Sequence, residues 1–218
     1  MAVALIVAAG RGERLGSGRP KALVTVAGKP LVEWSVAALR AVSAVSEIVV
    51  ALPEEHVSEA PSGSVGVAGG AVRSESVRNA LRSAGDGDPV IVHDAARPLA
   101  STALFERTLA ELAVSGADAV IAAAQVSDTV KEADTGGEVV RTLNRERLWA
   151  IQTPQVFRRE ALEQALLGAD QQLLAAATDD AWLVERGGGV VRVLDSGGEN
   201  LKVTTETDLR IAELLLSR

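Results

Sequence analysis

Short apolar runs of strand length alternate with amphipathic helical segments along this 218-residue chain, and that alternation predicts an α/β fold. The expected architecture is a Rossmann-like, three-layer domain: a mostly parallel sheet with helices on both faces, plus a protruding β-hairpin arm. The length suits one such domain with a full core, and no repeat or long linker divides it, so residues 1–218 read as a single domain. Gly10, Gly70 and Asp94 each close an apolar run. In sheets of this class ligands bind beyond the C-terminal ends of strands, so these positions can converge on one crevice.

The run from Val3 to Ala9 reads as a buried strand. Residues 22–26 are expected to form a short strand closed by a turn at Ala27 and Gly28. Pro30 suits a helix start, where its missing N–H is not needed, and Leu31, Trp34, Ala38, Leu39 and Val42 follow at helical spacing. Residues 48–52 are a second buried strand and residues 65–68 a third. The glycine turn at Gly69 and Gly70 feeds a helix ending near Ser83. Residues 89–94 form a fully apolar strand with an acid at its end. A helix over about residues 101–114 leads to a strand at 119–123.

Between Ser127 and Asn144 the pattern turns polar. Thr129, Val130 and Lys131 face Val139, Val140 and Arg141 across residues 134–137, which reads as a hairpin too small to hold a core alone. An arm at about residues 127–147 that reaches a second subunit is the economical reading, and a flap lying on the sheet edge is the alternative. Residues 148–157 then return toward the core. Helices are expected over about residues 159–167, after Thr178 and Asp179 as an N-cap, and over about residues 206–216. Residues 190–194 and 201–203 read as late strands.

Composition narrows the function. The chain has no Cys, which excludes disulfides and thiolate metal sites. With no Tyr, two Phe and three Trp, it lacks the aromatic platforms on which single-stranded nucleic acids stack. The net charge of −7 argues against any nucleic-acid partner. No segment has the uninterrupted apolar length that spans a membrane, and no basic residue precedes the apolar N-terminus as in a signal peptide. A soluble, cytoplasmic protein is expected.

Against that acidic background, residues 10–21 hold four glycines and four basic side chains with one acid, a local charge of about +3. Such a loop after a strand can aim backbone N–H groups and cations at a polyphosphate, which points to a nucleoside triphosphate site. The spacing is not that of a dinucleotide fingerprint, and the Gly-Lys-Ser/Thr end of a P-loop is missing.

Ala8-Ala9-Gly10 with Gly12, Arg14 and Pro20-Lys21 resembles the signature loop of nucleotidyltransferases that join a nucleotide to a sugar phosphate. Further motifs follow in register: Gly69-Gly70 with Arg73 and Ser76, His93-Asp94-Ala95-Ala96-Arg97-Pro98, Arg145 with Leu148-Trp149, Thr153-Pro154-Gln155, Thr178-Asp179-Asp180-Ala181, and Glu199-Asn200-Leu201-Lys202-Val203-Thr204. Over nearly its whole length the chain is similar to the 2-C-methyl-D-erythritol 4-phosphate cytidylyltransferase family of the non-mevalonate isoprenoid pathway. Ala22, Val7 and Ala71 stand where relatives often carry Gln, Pro and an acid.

The resemblance implies attack by a sugar-alcohol phosphate on the α-phosphorus of CTP, with release of pyrophosphate. It implies catalytic roles for Lys21, Lys202 and Arg14, the last on the β- and γ-phosphates. Ala8, Ala9, Gly10, Gly12, Gly70, Arg73, Ser76, Asp94 and Ala95 would bind the nucleotide, and Asp94 would hold Mg²⁺, with Glu199 a candidate second carboxylate. Thr129, Arg145 and Arg97 would bind the methylerythritol phosphate, the first two across a homodimer interface made by the arm. A phosphate nucleophile is already ionised and needs no general base, so His93 is expected to be structural. Two rivals remain: a cytidylyltransferase acting on ribitol 5-phosphate or another polyol phosphate, and a non-catalytic nucleotide-binding regulatory domain. The joint presence of Arg14, Lys21, Asp94 and Lys202 disfavours the second.

Overall fold

The first strand divides its side chains by parity, as a strand buried on both faces must. Ala2, Ala4 and Ile6 enter one core layer and Val3 and Leu5 the other, and all five are almost fully buried. The computed structural model describes residues 1–10, 12 and 18–217. Arg14 lies outside the described residues.

In chain order the elements begin with β1 (Ala2–Val7), a 3₁₀ turn over Lys21–Leu23, and a small hairpin, β2 (Thr25–Val26) and β3 (Lys29–Pro30). Then come α1 (Leu31–Arg40), β4 (Val45–Leu52), β5 (Val65–Ala68), α2 (Arg73–Ser83), β6 (Val90–Asp94), α3 (Thr102–Ser115) and β7 (Ala119–Gln125). The arm is β8 (Lys131–Ala133) with β9 (Val139–Thr142). The chain ends with β10 (Trp149–Phe157), α4 (Arg159–Leu167), α5 (Gln171–Ala176), α6 (Asp180–Arg186), β11 (Val191–Asp195) and α7 (Glu206–Leu216).

Seven strands form the main sheet in the order β11-β7-β10-β6-β1-β4-β5. Only β10 runs antiparallel to its neighbours, β6 and β7. Helices α1 and α3 pack on one face through Val32, Val36, Leu39, Phe105 and Leu112. Helices α2, α4, α5 and α6 cover the other through Val77, Leu81, Leu162, Leu166, Leu174 and Leu183. Each such side chain contributes about 1.5–3 kcal/mol when fully buried, so the two apolar layers hold the sheet between them. The expected α/β architecture is the one observed.

Several local expectations change. Ala22 and Leu23 belong to a 3₁₀ turn, because Leu23 N–H donates to Pro20 O and Val24 N–H to Lys21 O, so only Thr25 and Val26 are extended. Ala27 and Gly28 both take positive φ, at 45° and 81°, which is the two-residue turn that closes the hairpin on Lys29. Pro30 therefore ends a strand and caps α1, which starts one residue later. The buried stripe of α1 is Leu31, Val32, Ser35, Val36 and Leu39, while Trp34 lies at its flank with its indole N–H on Val26 O. In the arm, Lys131 pairs with Thr142 and Glu132 with Arg141, so Thr129 and Val130 precede the ladder.

Residues 201–203 are not a strand. They find no neighbouring strand to pair with, and one backbone bond, Val203 N–H to Ala96 O at 2.7 Å, ties them to the loop after β6. A third apolar cluster of Val26, Leu31, Val203 and Ala212 seats α7 and the β2–β3 hairpin around this segment. Val203→Ala removes two buried methyl groups beside Lys202. It should cost about 2 kcal/mol of stability, from about 0.8 kcal/mol per buried carbon plus the cavity, as read by urea unfolding.

Candidate active site

The order of the sheet reverses at β1: the chain moves outward through β4 and β5, then returns to lay β6 on the other side. A crevice at this switch is the usual ligand site of an open α/β sheet. Val7 and Asp94, the last residues of β1 and β6, are register partners, and Ala95 N–H donates to Val7 O. Ala8 N–H donates to Ala51 O, and Gly69 N–H to Leu52 O at 2.7 Å. The loops after β1, β5 and β6 therefore leave the sheet at one end and face one another.

They enclose a cleft of about 240 Å³ lined by Ala8, Ala9, Gly10, Lys21, Gly70, Arg73, Ser76, Asp94, Ala95 and Lys202, together with Val7, Ala22, Ala71, Val72 and Ala96. Close backbone approach shapes it. A Cβ on Gly69 would lie 2.4 Å from the Ala9 Cβ, and one on Gly70 would lie 2.2 Å from the Glu75 Cβ. Gly70 N–H donates to the Ser76 hydroxyl, and the Glu75 carboxylate accepts from Ala71 N–H, so α2 braces the turn that forms one wall. Opposite, Lys21 N–H donates to Gly10 O and closes the basic loop at its base. Gly12 does not line the cleft. At φ +71°, with Lys21 2.8 Å from where its Cβ would be, it lets the chain pass close beside Lys21.

An alternating row of charges crosses the floor. Lys202 Nζ lies 2.7 Å from Asp94 Oδ2, Arg73 Nε lies 3.0 Å from Asp94 Oδ1, and Arg73 NH1 lies 2.5 Å from Asp180 Oδ2. Burial would raise the Asp94 carboxyl, but the charges of Arg73 and Lys202 outweigh it and hold the group well below the usual carboxylate range. Burial likewise opposes the Arg73 charge, and Asp180 and Asp94 more than restore it. Lys202 keeps 40% of its side chain exposed, toward the cleft.

A second cleft, of about 250 Å³, adjoins the first and shares Arg73, Asp94 and Lys202 with it. Its other walls are Arg97, Ile151, Gln152, Thr153, Gln155, Thr178 and Asp179. Gln152 and Thr153 reach it because the pairing of β10 with β7 breaks between Ile151 and Gln155, as bulges do when they re-aim side chains. Asn200 donates to Gln152 Oε1 and Thr153 O, both at 2.8 Å, and its own carbonyl accepts from Arg97 NH1. These bonds fix the segment that carries Lys202.

The whole chain but its first residue, residues 2–218, matches the family model for 2-C-methyl-D-erythritol 4-phosphate cytidylyltransferase. The chain belongs to this family. An enzyme of that name from Frankia casuarinae is 46% identical over 99% of this chain and 81% of its own length. The one from Nocardia farcinica is also 46% identical, over 99% and 94%. Among solved structures, the cytidylyltransferase of Thermus thermophilus superposes with a TM-score of 0.82 at 34% identity, covering 99% of this chain and 98% of that one. The Francisella tularensis enzyme gives 0.83 at 30% identity, covering 98% of each. The chain is thus a nucleotidyltransferase, with cytidylyl transfer in the isoprenoid pathway as its chemistry.

In this cytidylyltransferase most sequence-derived site residues meet in the two clefts. Thr129 and Arg145 do not: both are exposed on the arm, where Arg145 NH1 donates to Ser127 O. Glu199 is also exposed and lines neither cleft; the other carboxylate there is Asp179, in the second cleft. Thr153, Asn200 and Asp180 lie within the quoted motifs and Gln152 directly precedes one, yet the sequence assigns no role to any of them. Pro154 inside a strand-like run was the available signal for a bulge at that point.

His93 is fully buried, with its ring edge-on to Phe105. Asp94 N–H donates to Thr153 Oγ1, so the Thr153 hydroxyl proton is left for His93 Nδ1 at 3.1 Å, and His93 Nε2–H faces Arg97 O at 3.3 Å. That pattern requires the neutral ring, and burial accordingly pushes its pKa down to about 4. The histidine binds fewer protons folded than unfolded, so its contribution is complete above pH 6.5 and lost as pH falls toward 4. Across that window the native protein should lose about 3 kcal/mol more than His93→Gln in pH-dependent urea unfolding. Equal slopes would contradict a neutral buried histidine.

Proposed function

We propose that the two clefts divide the two substrates of the family's reaction: CTP in the first and 2-C-methyl-D-erythritol 4-phosphate in the second. The products are then 4-diphosphocytidyl-2-C-methyl-D-erythritol and pyrophosphate. The observation that carries the reading is the shared boundary, because Arg73, Asp94 and Lys202 line both spaces. A phosphate oxygen of the acceptor attacks the α-phosphorus of CTP at that boundary, and the bond to pyrophosphate breaks on the far side. Whole-chain similarity to named cytidylyltransferases supports this over a ribitol 5-phosphate enzyme.

Cytosine would lie between the backbone of Ala8, Ala9 and Gly70 and the Ser76 hydroxyl, whose remaining acceptor capacity suits an exocyclic amine. The triphosphate would run toward Gly10 and Lys21, and contact with the β- and γ-phosphates remains the role proposed for Arg14 on its motif alone. Lys21 and Lys202 flank the α-phosphate, where they would stabilise charge growing on its equatorial oxygens. Ala95, fully buried behind Asp94, would close the floor below the ribose. Arg97 and Thr153 would meet the acceptor.

Among the described residues no group of three or more acidic or histidine side chains could hold a metal alone. Asp94 still suits Mg²⁺, which takes one or two carboxylates and completes its shell with substrate phosphates and water. Bound there, Mg²⁺ would neutralise phosphate charge. Asp94 would hold it through a carboxylate oxygen, with Lys202 beside the ion for phosphate.

The arm supports a homodimer. Its strands pair only with each other, and Val139 and Val140 are 56% and 62% exposed, which is a poor arrangement for a hairpin in water. Seated on a second copy, the arm would bury these valines and carry Thr129 and Arg145 to the partner's acceptor cleft. No described helix is long and apolar enough to cross a membrane, and a cytoplasmic location, with no nucleic-acid or membrane partner, completes the reading. Residues 1–218 would act as one nucleotidyltransferase domain.

Pyrophosphate release from CTP, measured with methylerythritol phosphate and a panel of polyol phosphates, tests the assignment. Turnover with methylerythritol phosphate is expected, and turnover with ribitol 5-phosphate alone would overturn the substrate. In the same assay Lys21→Ala should lower kcat by about a hundredfold or more, as for one lost transition-state donor. Arg145→Ala should chiefly raise KM for the sugar phosphate while CTP affinity holds.

A further inference from the structure

Asp180 is fully buried at the start of α6, lines neither cleft, and has no part in the transfer as described above. Its Oδ2 accepts from Arg73 NH1, and its Oδ1 has no hydrogen-bond partner among the described residues. A carboxylate in this position is expensive, since a buried charge that makes only some of its hydrogen bonds loses hydration without full return. Stability does not explain it: an apolar pair of similar volume generally serves as well.

Helix chemistry does not explain its partner either. Arg73 is the first residue of α2, where the helix dipole disfavours a cation. What the pair supplies is orientation. The guanidinium is planar and rigid, and it is held at two corners, by Asp94 on Nε and Asp180 on NH1. With Asp94 alone it could pivot, and Asp94 would pivot with it.

Asp180 is itself immobilised. The neighbouring Asp179 accepts from Trp182 N–H through one oxygen and from Gln155 Nε2, on β10, through the other, both at 2.8 Å. The start of α6 is thereby fastened to the sheet directly beside the second cleft. The row Asp180, Arg73, Asp94, Lys202 transmits that fixed point to Lys202, the more exposed of its two cations.

We propose that Asp180 is a positioning residue for nucleotidyl transfer: it fixes the Arg73 guanidinium, which fixes Asp94 and, through it, the approach of Lys202 to the reacting phosphate. This rests on the assignment of Asp94 and Lys202 to the boundary between CTP and acceptor. A misplacement there acts on the transition state more than on ground-state binding, so the effect belongs in kcat.

The test is steady-state kinetics with CTP and methylerythritol phosphate on the full-length wild type, Asp180→Ala, Asp180→Asn, Arg73→Met and the Arg73→Met/Asp180→Ala double variant, with thermal unfolding of each. Asp180→Ala should lower kcat by about tenfold to a hundredfold and leave KM for CTP within about threefold. Asp180→Asn, which keeps an acceptor oxygen for Arg73, should recover most of that loss. In the Arg73→Met background the change at Asp180 should cost no further kcat, because its route to the site is already cut. A kcat for Asp180→Ala within twofold of wild type would overturn the proposal. So would an equal loss with and without Arg73, the additive behaviour of a merely structural residue. If Asp180→Ala does not fold, Asp180→Asn takes its place in both backgrounds, with a smaller loss expected only where Arg73 is present. A wild type inactive with methylerythritol phosphate would instead refute the substrate assignment, and the same kcat comparison would then be made with the polyol phosphate it does use.

Discussion

The site depends on one anion placed among cations. Asp94 ends a central strand, is almost wholly buried, and accepts from Arg73 on one oxygen and Lys202 on the other. A reaction between two phosphates needs positive charge that is already in position, because reorienting cations during the step would add to the barrier. Lone cations would be hard to hold in a partly dry cleft. Interleaving them with carboxylates keeps them charged and fixed before any substrate arrives, which is why burial does not discharge Arg73. The same arrangement reconciles a protein of net charge −7 with a polyphosphate ligand, since the positive field is local and built in.

The rest of the fold sets the edges of this row. Parallel strands bring the loops after β1, β5 and β6 to one end of the sheet, and close backbone contacts at Gly69 and Gly70 leave room for a base without any aromatic side chain. The reversed strand β10 does something different. Running against β6 and β7, it delivers a bulge carrying Gln152 and Thr153 to the same end, and so builds a second space against the first. Two spaces that meet at Asp94 suit the in-line transfer proposed above, which needs no covalent intermediate.

The parts legible in the sequence were those set by local pattern. Strands buried on both faces read as unbroken apolar runs, and β1, β4, β6 and β7 lie where those runs fall. Loop residues such as Gly10, Lys21, Gly70, Arg73 and Asp94 were legible from their motifs, and they meet in one cleft. What escaped was set by tertiary partners. Residues 201–203 look extended and apolar in isolation, but they are held by Asn200, Val203 and the loop after β6, with no strand beside them. The direction of β10 and its bulge follow from where the chain returns after the arm, which no local period encodes. Asp180 was hidden for a related reason: in sequence it is one more acid at a helix start, and only the fold places it against Arg73.

The proposed function has cytidylyl donor and sugar-phosphate acceptor in adjoining clefts that meet at Asp94. The most direct measurement is a crystal structure of the enzyme with the product, 4-diphosphocytidyl-2-C-methyl-D-erythritol, and Mg²⁺. Cytosine is expected against Ala8, Ala9 and Gly70, the diphosphate between Lys21 and Lys202, and the methylerythritol beside Thr153 and Arg97. A product whose sugar alcohol folds back into the first cleft, leaving the second to solvent, would contradict it.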